Sequence, residues 1–394
     1  MAEYAQNLIT FEKALRENYL PVWKNQLGVE PSALLSKIKK VPLKGNKIVA
    51  TAPVGLSGGF GFGEEGLTTP KAGGVNFERF ETNAKDMYVN IAISAKAVRL
   101  TGSGGAMANA LDTEVKGAYE TAKWNVGRAL FGNGTGKLTT FEAVSGKNVI
   151  PVEDTKNLKE GLIIDLYEEG SDVPAIASRR IKAVDRVGKT VTVDGAAVTV
   201  GKGFITVQNS YKREITGLGT IFDTTIPTIY GLEKEDNPFL NPILYDCEDD
   251  ISDGVLTKVL RRAKNEKNSS IDMILCGDDA YDGYVEYLRT SNVRVEEISH
   301  EISGGFKAIK FVFGDKVVDI INESFIPDTE MWGVDTTALE LHSQEWEFAD
   351  LQGGGIFNLM ENQSIYRALL ANYGDLICKN PGGCVRLYNC GYTR

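Results

Sequence analysis

Residues 104–136 read GGAMANALDTEVKGAYETAKWNVGRALFGNGTG, and this stretch carries the pattern of one long helix. Apolar residues recur at intervals of three and four and therefore form a single stripe along the helix. The residues expected to pack along this stripe are Met107, Leu111, Val115, Ala118, Ala122 and Val126. The pattern predicts a helix over about 106–131, a rod about 39 Å long at ~1.5 Å per residue, and the glycines that follow end it.

A glycine-rich stretch upstream of this helix separates two predicted strands. The first strand is predicted at about 48–54, and residues 55–74 (GLSGGFGFGEEGLTTPKAGG) form the tip. The chain returns with a period of two, first at Val75 and Phe77 and again over 87–93. This predicts a β-hairpin whose arms each reach on the order of 50 Å. Because an isolated two-stranded ribbon is only marginally stable in water, a projecting hairpin needs support from outside the subunit.

Three further regions have different patterns. Residues 1–40 read as short charged helices without enough apolar surface for a core of their own, so they are expected to lie across other structure. Residues 143–216 contain short valine-rich strands separated by turns, which predicts a small β barrel or sandwich inserted into the chain. From residue 251 onward, helices alternate with strands in a mixed pattern. The sequence therefore predicts an α+β protein.

Two glycine motifs in the hairpin tip match functional patterns but lack the setting that those patterns need. Residues 61–66 match GxGxxG, which binds dinucleotides where a strand meets a helix; here a strand follows, and Glu64 and Glu65 would repel phosphate. Residues 55–59 match GxSxG, the pattern around a hydrolase nucleophile, yet no helix follows Ser57. A hydrolase that uses Ser57 is the alternative from a different functional class.

Candidate phosphate and metal ligands give no convincing site. Residues 132–137 (GNGTGK) follow a helix, whose C-terminus has the wrong dipole sign for phosphate. Cys378, Cys384 and Cys390 are six residues apart, too far for a zinc knuckle, so free thiols are expected. The acidic run 246–250 is expected to cap the following helix instead of holding a cation. Neither histidine has a convincing partner, and no catalytic residue, cofactor or metal is expected.

The composition excludes several functional classes. With 43 basic and 53 acidic side chains, the formal charge of −10 argues against a nucleic-acid clamp, because a clamp needs lysine and arginine to displace counterions from phosphates. No apolar run approaches the ~20 residues that span a bilayer, and the first residues lack the pattern of a secretory signal. Five cysteines are an odd and low number, which is typical of free thiols in a reducing compartment.

The order of these regions resembles that of a known family. A charged arm, a glycine-tipped hairpin, a long helix and a mixed α/β unit follow one another as in tailed-bacteriophage major capsid proteins of the Hong Kong 97-like fold. Residues 128–136 (RALFGNGTG) resemble the exit of the family's spine helix. Residues 363–368 (QSIYRA), 374–377 (GDLI) and 381–387 (PGGCVRL) resemble its last strands.

The resemblance implies a division of the chain into the parts of that fold. It implies an N-terminal arm at 1–45, an E-loop β-hairpin at 46–85, a P-domain with the spine helix at 86–142, a β-rich insertion domain at 143–216, an A-domain at 217–340, P-domain return strands at 341–378 and a last A-domain strand at 379–394. It also implies contacts with a neighbouring subunit from the E-loop tip, at Phe60, Phe62, Glu64, Glu65 and Lys71.

The function implied by the resemblance is structural and not enzymatic. The chain is expected to self-assemble into hexamers and pentamers of an icosahedral shell that encloses a double-stranded DNA genome. Its expected partners are copies of itself, a separate scaffolding protein, a portal and, weakly, the packaged DNA, with no membrane. It is expected in the virion after assembly in the bacterial cytoplasm. An encapsulin-type shell around a cellular compartment is the alternative within the same fold.

Overall fold

A computed structural model describes most of the chain, and its helices lie close to where the sequence predicts them. The described residues are 12–13, 15–27, 29–55, 58–62, 71, 73–74, 76–95, 104–248, 250–291, 299–301, 306–349, 355–360 and 363–391, with only the backbone given at 25, 53, 104–112 and 299–300. The helices are α1 (Leu20–Leu27), α2 (Ala33–Lys37), α3 (Gly104–Phe131), α4 (Gly219–Phe222), α5 (Asp253–Lys267) and α6 (Asp278–Thr290). A π-helical turn, Leu15–Tyr19, precedes α1. The predicted long helix is confirmed as α3.

Strands account for most of the other regular structure. They are β1 (Lys39–Pro42), β2 (Lys47–Val54), β3 (Asn76–Asn83), β4 (Lys85–Ser94), β5 (Lys137–Phe141), β6 (Val144–Lys147), β7 (Val149–Pro151), β8 (Ile163–Glu168), β9 (Ile176–Asp185), β10 (Thr190–Val193), β11 (Val198–Val200), β12 (Gly203–Val207), β13 (Thr228–Ile229), β14 (Leu232–Glu233), β15 (Ile243–Asp246), β16 (Met273–Cys276), β17 (Ser299–Glu301), β18 (Lys307–Phe313), β19 (Lys316–Asn322), β20 (Met331–Val334), β21 (Leu339–Ser343), β22 (Glu347–Phe348), β23 (Asn358–Leu359), β24 (Ile365–Cys378) and β25 (Val385–Tyr388). No described helix is both long and apolar enough to cross a membrane.

The chain divides into two compact units, each assembled from three segments. The first unit comprises Met1–Leu27, Lys85–Thr220 and Trp346–Asn372. The second comprises Gly28–Ala84, Ile221–Glu345 and Tyr373–Arg394.

One core of the first unit forms around α3. Val115, Tyr119 and Ala122 of this helix are buried against Trp23 and Leu27 of α1. The Trp23 and Tyr119 ring centroids are 5.6 Å apart. This agrees with the expectation that the N-terminal residues lie across other structure and have no core of their own. The reason is that α1 places its large apolar side chains one turn apart, where α3 offers a matching stripe.

A second core of the first unit lies in the inserted β module. Six strands pair in the order β5-β12-β8-β9-β10-β7, and β6 and β11 form a separate pair. Their inward residues, among them Ile150, Ile164 and Ile205, are completely buried. Strand β5 belongs to this module because it pairs with β12, so the strands of the module begin at Lys137, before the expected start of the insertion at residue 143.

The second unit contains a seven-stranded mixed sheet with helices α5 and α6 packed on it. The strand order is β15-β25-β20-β16-β19-β18-β17, and its central strand β16 is buried along its whole length. Ser252 caps α5 by accepting a hydrogen bond from the Val255 amide (3.4 Å). The expectation that the acidic run 246–250 provides this cap is therefore wrong: a serine hydroxyl adjacent to the helix satisfies the free amide better than carboxylates farther upstream.

The predicted hairpin is shorter than expected. Strands β2 and β3 pair in antiparallel register from Lys47 opposite Asn83 to Val54 opposite Asn76. The second period-of-two stretch does not continue this ribbon. It forms β4, which pairs with β24 in the first unit, where Ala95 N–H donates to the Ser364 carbonyl (2.9 Å). The expected return arm is thus two strands, because pairing with the distant strand β24 takes β4 away from the hairpin.

Candidate subunit interface

The base of the β2–β3 hairpin is firmly held inside the second unit. Phe80 is completely buried and packs on Tyr230, with ring centroids 5.5 Å apart. The Thr82 hydroxyl donates to the Asp375 carboxylate (2.5 Å), and the Glu81 amide donates to the Tyr230 carbonyl (2.9 Å). Burial raises the pKa of Tyr230, so this ring remains a neutral phenol that accepts a hydrogen bond from the Cys378 amide. These contacts fix the base of the hairpin, here called its root, in the second unit.

The two faces of the ribbon differ in character. The face that carries Phe80 also carries Ala50 and Ala52, which are buried. The opposite face exposes two apolar side chains, Val49 and Phe77, with Phe77 63% exposed. Period-two alternation places such residues on one surface. The hairpin thus has a covered side within its own unit and a partly apolar side that faces solvent.

The described part of the hairpin tip exposes its aromatic residues most strongly. Phe60 is 80% exposed and Phe62 96% exposed. Their rings contact each other edge to face, with centroids 5.2 Å apart, and leave their remaining surfaces in water. Fully burying one such side chain contributes about 1.5–3 kcal/mol. The pair therefore offers about 3–6 kcal/mol to any surface that covers it.

The neck of the tip depends on a glycine. A Cβ placed on Gly73 would lie 2.5 Å from the Gly58 nitrogen and 2.6 Å from the Gly59 nitrogen. Only a residue without a side chain permits this approach of the two backbones. Lys71 is exposed next to this neck, whereas Glu64 and Glu65 lie outside the described residues. Of the five residues predicted to contact a neighbour, Phe60, Phe62 and Lys71 are described, and all three face solvent.

The residues predicted to pack along α3 fall into two groups. Val115 and Ala122 are buried, and Ala118 and Val126 are partly buried against the same core. The side chains of Met107 and Leu111 lie outside the described part of the helix. At its C-terminal end, the buried Arg128 pairs with Glu214, with Nη2 and Oε1 2.5 Å apart. A sequence pattern of apolar residues does not reveal such a pair, because it joins residues 86 positions apart.

A charged group in the second unit also could not be predicted from the sequence. Glu340 lies between Lys39 (3.1 Å) and Lys379 (2.8 Å), and His342 approaches its other oxygen at 3.3 Å. Burial raises the pKa of Glu340, but the hydrogen bonds from Lys379 and Lys39 outweigh burial and lower the pKa to about 2. The parallel register that places Lys39 opposite Glu340 joins β1 to β21. This arrangement stabilises the pairing of the two strands.

The other motifs yield no catalytic or metal-binding geometry within the described residues. No group of three histidine, cysteine or acidic side chains in that part of the chain is placed to hold a metal ion. In the GNGTGK stretch, the Asn133 side chain accepts hydrogen bonds from the amide and hydroxyl of Thr135 and so closes a turn. Ser57 and the side chain of His300 lie outside the described residues. All five cysteines are free and buried, as expected for Cys378, Cys384 and Cys390.

Comparisons with known proteins identify the fold. No protein-family model and no curated protein matches the sequence. Among solved structures, the cyanophage A-1(L) capsid asymmetric unit is similar with a TM-score of 0.51 at 10% identity, covering 90% of each chain. The holo-SrpI encapsulin complex from Synechococcus elongatus gives 0.49 at 8% identity, covering 92% of this chain and 88% of that one. The satellite phage P4 procapsid gives 0.44 at 10% identity, covering 95% and 99%.

The cyanophage similarity, together with the presence of the long helix α3, the β2–β3 hairpin and the seven-stranded mixed sheet, defines the class of fold. The chain has the Hong Kong 97-like fold of phage capsid proteins, with an inserted β module. The fold class expected from the sequence is therefore confirmed.

Proposed function

We propose that this chain is the major shell subunit of a tailed bacteriophage, which assembles into hexamers and pentamers around double-stranded DNA. The observation that carries the proposal is the hairpin with a fixed root and an uncovered aromatic tip. Phe80 anchors the root, while Phe60 and Phe62 expose nearly all of their surface. An isolated subunit gains nothing from this exposure, whereas a neighbouring copy that covers the tip gains about 3–6 kcal/mol per contact.

In this proposal each part of the chain has its place in the shell. Residues 1–45 act as the arm, 46–85 as the E-loop, 86–142 with 341–378 as the P-domain, and 217–340 with 379–394 as the A-domain. The E-loop tip, including Glu64, Glu65 and Lys71, lies on the next subunit. The β module is an insertion domain between the two halves of the P-domain.

The charge of the chain fits the enclosure of DNA. A shell has to surround DNA without binding it tightly, and a formal charge of −10 keeps contacts with phosphates few and salt-dependent. A scaffolding protein and a portal are the partners that such a shell needs during assembly in the host cytoplasm, before it becomes part of the virion. No enzymatic role is proposed for the subunit.

Shortening the hairpin tests the proposal directly. Strands β2 and β3 remain in register when residues 55–75 are replaced by an Asn-Gly turn, which suits a two-residue hairpin. We expect the full chain to form rings or closed shells in electron microscopy and the shortened chain to sediment as single folded subunits. Equal thermal unfolding midpoints control for folding. Shells formed equally well by the shortened chain would contradict the proposal.

The contents of native particles separate the phage shell from the encapsulin-type alternative. Particles purified from their natural source and treated with nuclease are expected to retain double-stranded DNA of a discrete length. Mass spectrometry of the same particles is expected to show a portal protein. Particles that contain a protein cargo and no DNA would indicate the encapsulin-type compartment instead of the phage shell. The proposal that the chain self-assembles would then still hold.

A further inference from the structure

Two buried thiols of the second unit lie unusually close together. The Cys247 and Cys390 sulfurs are 3.2 Å apart, and the two residues are only 4% and 0% exposed. A disulfide bond needs sulfurs ~2.05 Å apart, so a further approach of about 1.2 Å would join them. The next pair, Cys378 and Cys384, is 3.9 Å apart. Cys276 is also completely buried and, among the described residues, makes no sulfur contact of this kind.

The backbone around the pair fixes both cysteines. Strands β15 and β25 pair in parallel and end opposite each other, with Asp246 facing Tyr388. Beyond this point the Cys247 amide still donates to the Tyr388 carbonyl (3.0 Å), and the Cys390 amide donates to the Thr329 carbonyl (2.8 Å). Cys247 therefore follows β15 directly and Cys390 lies two residues beyond β25, so both are held by backbone hydrogen bonds at the same edge of the sheet.

The local turns also direct the two side chains toward one place. Asn389 takes a positive φ of 52°, and its side-chain amide donates to the Asp246 carboxylate (3.1 Å). This hydrogen bond connects the segment of one cysteine to the segment of the other. The thiols then enter the same apolar core. Cys276 belongs to the same core, but no group of three histidine, cysteine or acidic side chains among the described residues is placed to hold a metal ion there.

We propose that Cys247 and Cys390 form an intrachain disulfide bond when the protein meets a hydroperoxide. One sulfur attacks the peroxide, the O–O bond breaks, and a sulfenic acid and hydroxide result. The second sulfur attacks the sulfenic sulfur, the S–S bond forms and the oxygen leaves as water. In total, two thiols and one hydrogen peroxide give one disulfide and two waters. The proposal concerns a single chain and does not depend on shell assembly.

The consequence of this bond follows from its span. It joins residues 143 positions apart and so closes a loop that contains six of the seven strands of the sheet, all except β15. A cross-link across a long loop removes more freedom from the unfolded chain than a short one does. We expect the thermal unfolding midpoint of the oxidised protein to rise by about 5–10 °C. A Cys378–Cys384 bond spans only six positions and would raise it much less.

The bond is expected to form slowly at neutral pH. The hydrogen bond with Cys247, together with burial, raises the pKa of Cys390, so little of the reactive thiolate is present. The rate of cross-linking in hydrogen peroxide should therefore increase as the pH rises from 7 to 9.

The test treats the folded full chain with dilute hydrogen peroxide, then denatures it in acid, alkylates free thiols and maps the peptides without reduction. We expect a mass loss of about 2 Da, a peptide pair joined through Cys247 and Cys390, and a midpoint that returns to its starting value after reduction. Cys390→Ser should abolish both the cross-link and the rise in the thermal unfolding midpoint. Cys276→Ser, the control variant, should retain both. The map of the unsubstituted chain decides the matter even where a variant fails to fold. The proposal would be overturned if the Cys247 and Cys390 thiols remained alkylatable, or gained oxygen without forming a cross-link. A cross-link between Cys378 and Cys384 alone would also overturn it.

Discussion

The N-terminal helix α1 and the hairpin tip both carry large apolar residues. From the sequence, both segments are expected to be buried against other structure. Trp23 of α1 finds its partner within the first unit, on Tyr119 of α3. Phe60 and Phe62 of the tip contact each other and, within the described residues, stay 80% and 96% exposed. The difference teaches that a short segment completes its burial locally when a matching stripe lies within its own unit, whereas the two tip phenylalanines remain uncovered. The dependence on neighbouring subunits is therefore proposed for the hairpin tip and not for α1.

The largest effect is expected where α1 meets α3. Trp23→Ala removes a side chain that is only 4% exposed and should lower the free energy of unfolding by about 3–5 kcal/mol, because it leaves a cavity beside Tyr119. Denaturant titration of the unassembled chain measures this loss. Val22→Ala, a substitution at the exposed neighbouring position of the same helix, should change the value by less than about 0.5 kcal/mol. Equal small effects of both substitutions would show that α1 is not anchored in its own unit.

A similar loss is expected at the root of the hairpin. Phe80→Ala should cost about 3–4 kcal/mol and should speed hydrogen exchange along β2 and β3, since the contact with Tyr230 fixes the ribbon. Phe77→Ala on the exposed face of the same strand is the matched control. Unchanged exchange rates in Phe80→Ala would mean that the root is held by the Thr82–Asp375 hydrogen bond instead.

A smaller, pH-dependent effect is expected at Glu340. Its pKa of about 2 in the folded chain lies below the ordinary 4.5, so its contribution is complete above pH 4.5 and is lost as the pH falls toward 2. Because Lys39 is mostly solvent-exposed, we expect Glu340→Gln to cost only about 1–2 kcal/mol at pH 7. Between pH 5 and pH 3 the unsubstituted chain should lose stability more steeply than this variant. This role would be contradicted if the midpoint of thermal unfolding fell equally between pH 5 and pH 3 in the unsubstituted chain and in Glu340→Gln. Glu347→Gln, which removes an exposed ion pair, provides the control.

The fold was predictable where the signal is local. The stripe from Val115 to Val126 and the glycines after Phe131 predict α3 closely, because helix periodicity and its termination are properties of neighbouring residues. The strand expected at 48–54 is β2, Lys47–Val54. Exposure of Phe60 and Phe62 was likewise predictable, since the glycines around them provide no local apolar surface.

The parts that were not predictable depend on distant residues. The pairing of β4 with β24 joins residues such as Asn90 and Arg367, which lie 277 positions apart. The burial of Trp23 against Tyr119 and the placing of Glu340 between two lysines have the same origin. Amphipathic period alone does not say which distant surface a strand or helix meets. The five tip residues remain predicted contacts, because the neighbour that would cover them is a second chain.

Sedimentation velocity of the full chain with both tip phenylalanines replaced tests the central claim most directly. We expect Phe60→Ser with Phe62→Ser to leave the unfolding midpoint unchanged and to raise the concentration needed for assembly at least about 100-fold, because about 3–6 kcal/mol of burial is lost per contact. Val187→Ser removes an equally exposed apolar side chain (97%) from the β module and should leave assembly unchanged. Assembly of the double variant at the same concentration as the unsubstituted chain would contradict the account.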